Sequence, residues 1–361
     1  MQSLSFDAVA AYLQRLLGRA VRIRSIAGHG RIELGGDLKG FGYGTPLFIE
    51  YEIDGAARQA VLETMSPSSF GHDHFSDRAQ AILWEHASFN LLPRHVRSLD
   101  CGAFLHTGEL ISTGQACEFF LLTEFAEGQG YFKDLDRIRN TGNATDEDLQ
   151  RTRALAMYLA DIHASKTDAP QLYVRRIRDL LGHGECIMGL IDSYPERHDF
   201  IDQALLHRIE SACLEWRWKL RTRVRRLCQV HGDFHPWNIL FREGDDFTVL
   251  DRSRGEWGEP ADDTTCLSIN YLFSSLLRSG RLDGPFAELF SLFWGSYLER
   301  TGDREMLEVA APFLAWRGLV IASPVWYPHL PPGIRRSIFT FIENVLAAER
   351  FDPADVNRYL Q

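Results

Sequence analysis

From Leu47 the chain alternates. Leu47, Ile49, Tyr51 and Ile53 fall on one face of an extended strand, while Glu50 and Glu52 share the other. Asp54-Gly55 then supplies a tight turn, because glycine tolerates positive φ, and a return strand is predicted near Gln59 to Thr64. Upstream, the opening MQSLSFDAVAAYLQRLLGRA spaces its apolar residues as a helix does. Immediately before the hairpin lie Gly35, Gly36, Gly40, Gly42 and Gly44. A helix follows from about Phe75 to Leu92, closed by Pro93, and a further strand is expected over Glu118 to Phe125, ahead of Glu127-Gly128.

From about Asp146 the period changes. Leu155, Leu159 and Ile162 recur at helical spacing, as do Phe286, Leu289, Phe290, Phe293 and Tyr297, and then Ile334, Ile338, Phe341 and Val345. Short β-type stretches around Leu227–Val230 and Phe247–Leu250 interrupt these helices. There is no internal repeat and no low-complexity segment. The pattern predicts an α+β chain with a β-rich first part to about residue 128 and a mostly helical part over 129–361.

Composition narrows the class. A hydrophobic share of 45% and a charged share of 24% match soluble globular proteins and exclude disordered or fibrous readings. The six cysteines are scattered without a Cys-x-x-Cys pair, which argues against a zinc ribbon and fits reduced thiols in a cytoplasmic protein. Lys and Arg number 39 against 49 Asp and Glu, a net charge of −10, so nucleic acid is not an expected partner. The same balance mildly favours a cationic small molecule. The N-terminus lacks the apolar core of a signal peptide. The uncharged stretch Gly318–Gly333 is too short and proline-rich to span a membrane, so no membrane association is expected.

Between the two short β stretches lies the richest chemistry. His231-Gly232-Asp233-Phe234-His235-Pro236-Trp237-Asn238 follows one apolar run and precedes another, which ends in Asp251, 18 residues after Asp233. The set suits phosphoryl transfer. A carboxylate such as Asp233 accepts or orients the proton of an attacking hydroxyl. An amide oxygen at Asn238 and a carboxylate at Asp251 are hard ligands for Mg²⁺, which neutralises triphosphate oxygens. His, Asp and Asn each cap turns in ordinary loops, but the ordered set with a spaced second Asp points to function.

HGDFHPWNIL followed by LDRSRGEWGEPADD resembles the catalytic segment of the aminoglycoside phosphotransferase and choline-kinase-like superfamily of small-molecule kinases, relatives of the protein kinases. The resemblance implies a two-lobed protein-kinase-like fold, with a nucleotide-binding N-lobe over 1–128 and a C-lobe over 129–361 holding the catalytic loop and acceptor site. It implies Asp233 as the catalytic base, Asn238 and Asp251 as metal ligands, and Asp263 as a carboxylate bracing the loop. ATP and Mg²⁺ are the implied cofactors, and a hydroxylated small molecule the acceptor. LLTEFAEG resembles the family's hinge, where backbone groups near Glu124 and Ala126 would hold adenine and Gly128 would start the linker. LAMYLADIH resembles its helix of the form Leu-Ala-x-x-Leu-His. Gly40, Gly42 and Gly44 stand where backbone N–H groups would cradle phosphate, although tight turns explain such glycines as well.

The chain departs from the family on its third strand. Relatives carry Val-x-Lys there, the lysine gripping phosphates, whereas this chain reads Val61-Leu62-Glu63. Glu85 on the next helix fits the glutamate that would pair with that lysine. Two facing glutamates repel each other and a triphosphate unless Lys39, Arg58 or a divalent metal intervenes. Glu63 therefore also favours two other readings: a nucleotide- or ligand-binding protein without turnover, and an enzyme that transfers a nucleotidyl group. Asp251 is followed by Arg252-Ser253 rather than the aromatic of many relatives.

Other residues read as structural. His72-Asp73-His74 with Asp77 suits a solvated helix start better than a zinc site. His163 reads as a hydrogen-bonded core histidine, and His235 as either a substrate contact or loop packing. The basic run Arg217–Arg226 ends a helix, where cations suit the dipole. Trp316, Trp326 and Tyr327 read as core aromatics before a cation–π pocket.

Overall fold

The computed structural model describes residues 4–28, 44 and 46–361. The chain divides into two compact units, Met1–Thr123 and Glu124–Gln361, so residues 124–128 go with the second.

The first unit is a helix, a sheet and a hairpin. Helix Phe6–Leu17 starts where the Ser5 side chain accepts from the Ala8 N–H, and it buries Val9 and Leu13, one turn apart. Strands Arg22–Gly28, Leu47–Ile53 and Ala56–Leu62 form an antiparallel meander. Asp54 (φ 50°) and Gly55 (φ 80°) make the tight turn, and the alternation places Ile49 and Tyr51 in a small core with Val9, Leu13 and Val21. Gly40, Gly42 and Lys39 lie outside the described residues. Helix Phe75–Phe89 opens with His74, whose ring accepts from the Ser76 N–H while the Asp77 carboxylate accepts the His74 N–H at 2.8 Å. The histidine–aspartate cluster is thus a helix cap.

One expected strand is absent. Residues 118–125 belong to no strand among the described residues. Phe120 and Phe125 are 91% and 90% exposed. The run is apolar on both faces, and such a strand needs a neighbour and cover on each side to replace its water. The hairpin that does form nearby pairs Gly102–Phe104 with Leu110–Ser112.

The second unit is helical around one large core. Helix Ala261–Ser279 is buried from Asp263 to Leu276 and forms its centre, against helices Gly284–Thr301 and Ala311–Ala322. Helix Asp146–His163 packs on Gly284–Thr301, and Ala311–Ala322 on Pro332–Ala347. Helices Asp146–His163, Gly284–Thr301 and Pro332–Ala347 present the apolar stripes that the periodicity predicts. Two small sheets carry the chemistry. Gln129–Gly130 pairs with Ile239–Phe241, which pairs with Phe247–Val249. Cys228–Gln229 pairs with Trp257–Gly258. No described helix is long and apolar enough to cross a membrane.

Candidate active site

The segment 231–238 leaves the Cys228–Gln229 strand and enters the Ile239–Phe241 strand, so both ends are held by sheet. Gly232 sits at φ 87°, a left-handed conformation that a side chain would strain. Phe234 is fully buried and stacks on Tyr158, while Trp237 stacks on Phe132. These two aromatics pin the segment to two different helices.

Asp263, buried at the start of the central helix, braces the turn. Its carboxylate accepts the His231 and Gly232 N–H groups, both at 2.7 Å, and faces His163 Nε2 at 3.1 Å. Burial works against its charge, but His163 and the backbone donor hold its pKa below the ordinary value. His163 also meets the Tyr297 hydroxyl at 2.8 Å, so this core histidine reaches the loop through Asp263.

Asp233 lies in the middle of the loop. Its backbone N–H donates to His231 Nδ1, and its carbonyl accepts from Asn238 Nδ2 at 3.1 Å. Two guanidiniums converge on its Oδ1: Arg317 at 2.8 Å and Arg254 at 2.8 Å. Burial alone would raise the pKa, yet Arg317 and then Arg254 hold the carboxyl down at about 2. His235 Nε2 stands 3.6 Å from the other oxygen, and its Nδ1 accepts from the Trp237 N–H. Burial lowers the His235 pKa, which favours the neutral ring. The nearby Cys266 thiol is pushed well up by burial and stays protonated.

Arg317 ties this point to the central helix. It donates to Asp262 at 2.6 Å and to the Gly232 carbonyl at 3.2 Å, and its guanidinium lies 3.7 Å from the Trp316 ring centre. Arg254 covers the same ring at 5.0 Å. The cations that meet Trp316 are therefore the chain's own. Burial and the neighbouring Asp263 push Asp262 up to about 6, against the pull of Arg317.

Asn238 and Asp251 sit at one end of the strand pair. The Leu250 N–H donates to the Asn238 carbonyl at 2.8 Å, so Asp251 follows the residue bonded to Asn238. Asp251 is exposed and has φ 56°. A carboxamide and a carboxylate at one hairpin end are the hard oxygen donors that a divalent cation takes. Arg252 turns away, donating to the Val230 and Glu256 carbonyls.

The remaining predicted residues lie apart from this loop in sequence. Val61, on the third strand, is 49% exposed, and Glu63 follows the strand's end. Burial and then the charge of Glu63 raise the Glu85 pKa, so the two glutamates do sense each other. Arg58 and Val61 point to opposite faces of their strand. A Cβ at Gly44 would collide with the Thr64 carbonyl, which explains that glycine as close packing. Glu124 and Ala126 lie in a stretch that belongs to no strand or helix. Among the described residues no three His, Cys, Asp or Glu side chains converge as a metal site.

Sequence reasoning missed Arg254, Arg317 and Asp262. Arg317 carried a usable signal: a lone cation in the apolar helix Ala311–Ala322 must find an anion when buried.

Residues 57–292, more than half of the chain, match the model of the phosphotransferase enzyme family. A comparison with curated proteins found no match. Among solved structures, the chain resembles an amicoumacin kinase in complex with AMP-PNP, Ca²⁺ and Ami, at 16% identity and TM-score 0.43, covering 88% of this chain and 90% of that one. An ethanolamine kinase of Plasmodium vivax matches at 13% identity and TM-score 0.37, over 91% and 83%. A glucosamine kinase in complex with glucosamine, ADP and inorganic phosphate matches at 17% identity and TM-score 0.38; the alignment covers 57% of each chain.

Proposed function

The chain belongs to the phosphotransferase enzyme family, and we propose that it transfers the γ-phosphoryl group of ATP to a hydroxyl of a small molecule. Its fold is the α+β, protein-kinase-like one of that family. Asp233 is the base: the acceptor oxygen attacks phosphorus, the bond to the β–γ bridging oxygen breaks, and the acceptor proton passes to the Asp233 carboxylate. The observation that carries this reading is the fixing of Asp233 on both sides. Asp263 holds the backbone before it, and Asn238 holds its carbonyl. A base so fixed contributes by position, which phosphoryl transfer demands above all.

Asn238 and Asp251 would hold Mg²⁺, which when bound neutralises phosphate oxygens. Asp233, kept ionised by Arg317 and Arg254, presents an unprotonated carboxylate to the acceptor hydroxyl across the neutral range. The acceptor is a small hydroxylated molecule, with hydroxylated amines and sugars as its first candidates.

Turnover of Mg·ATP against a panel of such alcohols tests the reading, with the phosphorylated product followed by mass. A mass gain of AMP rather than phosphate would establish nucleotidyl transfer. A second reading, a binder without turnover, is favoured by Glu63 beside Glu85: burial and the Glu63 charge raise the Glu85 pKa, and His72 lowers it less. Stabilisation by Mg·ATP with no product from any acceptor would support it.

A further inference from the structure

We propose that Arg254 is a catalytic residue whose guanidinium, resting on Asp233 in the free protein, passes onto the transferring phosphoryl group and stabilises its charge. This inference rests on the kinase reading above and adds a group that the motif does not contain. Arg254 lies on the loop that leaves Asp251, and its Nη1 stands 2.8 Å from Asp233 Oδ1 and 3.0 Å from the Gly232 carbonyl. A base reaches its hydroxyl at about 2.6–3.2 Å, and that oxygen lies about 3–3.5 Å from phosphorus before attack. A cation touching the base is therefore within one side-chain movement of the phosphoryl oxygens.

The two arginines divide the work. Arg317 is fixed by Asp262, the Gly232 carbonyl and the Trp316 ring, and its side chain is only 7% exposed. Arg254 is 21% exposed, and its other anionic partner is Glu185, itself well exposed, at 3.2 Å. Arg254 can exchange one anion for another, whereas Arg317 stays and keeps Asp233 ionised. The catalytic hairpin otherwise brings only anionic or neutral side chains, Asp233, Asn238 and Asp251, toward a polyanion. A planar guanidinium fork matches two phosphoryl oxygens at once.

In the step, the acceptor O–P bond forms as the bond from phosphorus to the bridging oxygen breaks. The electron pair leaves with ADP, and the proton goes to Asp233. Arg254 forms no bond; it answers charge spread over the equatorial oxygens.

The test compares wild type, Arg254→Ala, Arg254→Lys and Asp233→Asn. Calorimetry measures binding of Mg·ADP alone and of Mg·ADP with aluminium fluoride, an anionic stand-in for the phosphoryl in flight. Wild type should bind the fluoride complex more tightly. Arg254→Ala should lose about 10²-fold of that gain and of kcat, with binding of Mg·ADP and KM for ATP changed less than about threefold. Arg254→Lys, which keeps the charge without the fork, should fall between. Asp233→Asn should lose turnover yet keep tight fluoride binding. Equal weakening of both complexes in Arg254→Ala, or no change in either, would overturn the assignment to Arg254. Wild type that binds Mg·ADP without any tightening by fluoride would overturn it as well. Turnover retained in Asp233→Asn would instead remove the base reading, and no Mg·ADP binding by wild type would remove the kinase reading and this inference together.

Discussion

The two units treat charge in opposite ways. In the second, buried arginines are answered, mostly by carboxylates; Arg335 is the exception and donates to the Ala322 and Tyr327 carbonyls. Arg226 spans Glu259 and Asp303, Arg317 spans Asp233 and Asp262, and His163 meets Asp263. In the first, Glu63 and Glu85 oppose each other, helix Phe75–Phe89 buries no residue, and the core holds five buried side chains. A dense core fixes side chains in one arrangement, and a low dielectric makes each unanswered charge costly. The groups proposed as catalytic belong to the unit where both conditions hold. The sheet unit, thinly packed and with facing carboxylates, is the part whose local geometry can change at small cost.

The comparison breaks most readily at Asp263. Asp263→Ala strands two buried backbone donors and His163, and should cost about 3–5 kcal/mol by urea unfolding. A loss below about 1 kcal/mol would mean that the loop does not depend on this brace.

Next comes Asp233→Asn, which should lower kcat about 10²–10⁴-fold while the fold, followed by circular dichroism, persists. A loss below about tenfold would exclude base catalysis by this group.

A smaller effect concerns pH. The folded Asp233 pKa of about 2 lies below the usual aspartate value, so its ion pairs stabilise fully above that usual value and are lost as pH falls through about 2. The pH–rate profile of wild type should thus show no acid limb from Asp233 between neutrality and about pH 4. Arg317→Ala should raise the Asp233 pKa and bring such a limb toward neutrality.

The smallest effect is expected in the first unit. The Glu85 pKa is raised, so the glutamate's contribution is fully present below its unfolded pKa and is lost as pH rises through the folded one. Glu85→Gln should therefore stabilise by less than about 1 kcal/mol, more at pH 7 than at pH 4. Thermal melts at the two pH values read this directly. A destabilisation growing with pH would show that a cation answers the pair.

What could be read in the sequence was local. The set from His231 to Asn238 with Asp251 could be read as a candidate site because its residues follow one another along a single hairpin. The turn at Asp54-Gly55 and the stripe of helix Asp146–His163 are legible for the same reason. Arg317 stands out as a lone cation in an apolar helix, but its partner is not legible, since it meets Asp233 across 84 residues. Arg254 lies in the segment LDRSRGEWGEPADD, where the departure from relatives is Arg252-Ser253, and nothing local marks Arg254 out. Trp316 was weighed as a cation–π partner, but nothing local says that its cations would be Arg254 and Arg317. The strand expected over 118–125 failed because an apolar run specifies a preference for burial, not the neighbour that satisfies it.

Asp251 carries one more consequence. Its backbone holds a left-handed twist, φ 56°, which aspartate and asparagine adopt far more easily than branched residues do. Exchanging it for asparagine removes one negative charge while respecting the local handedness, whereas alanine or valine would disturb both. At this position, unusually, electrical and conformational contributions come apart in a single replacement.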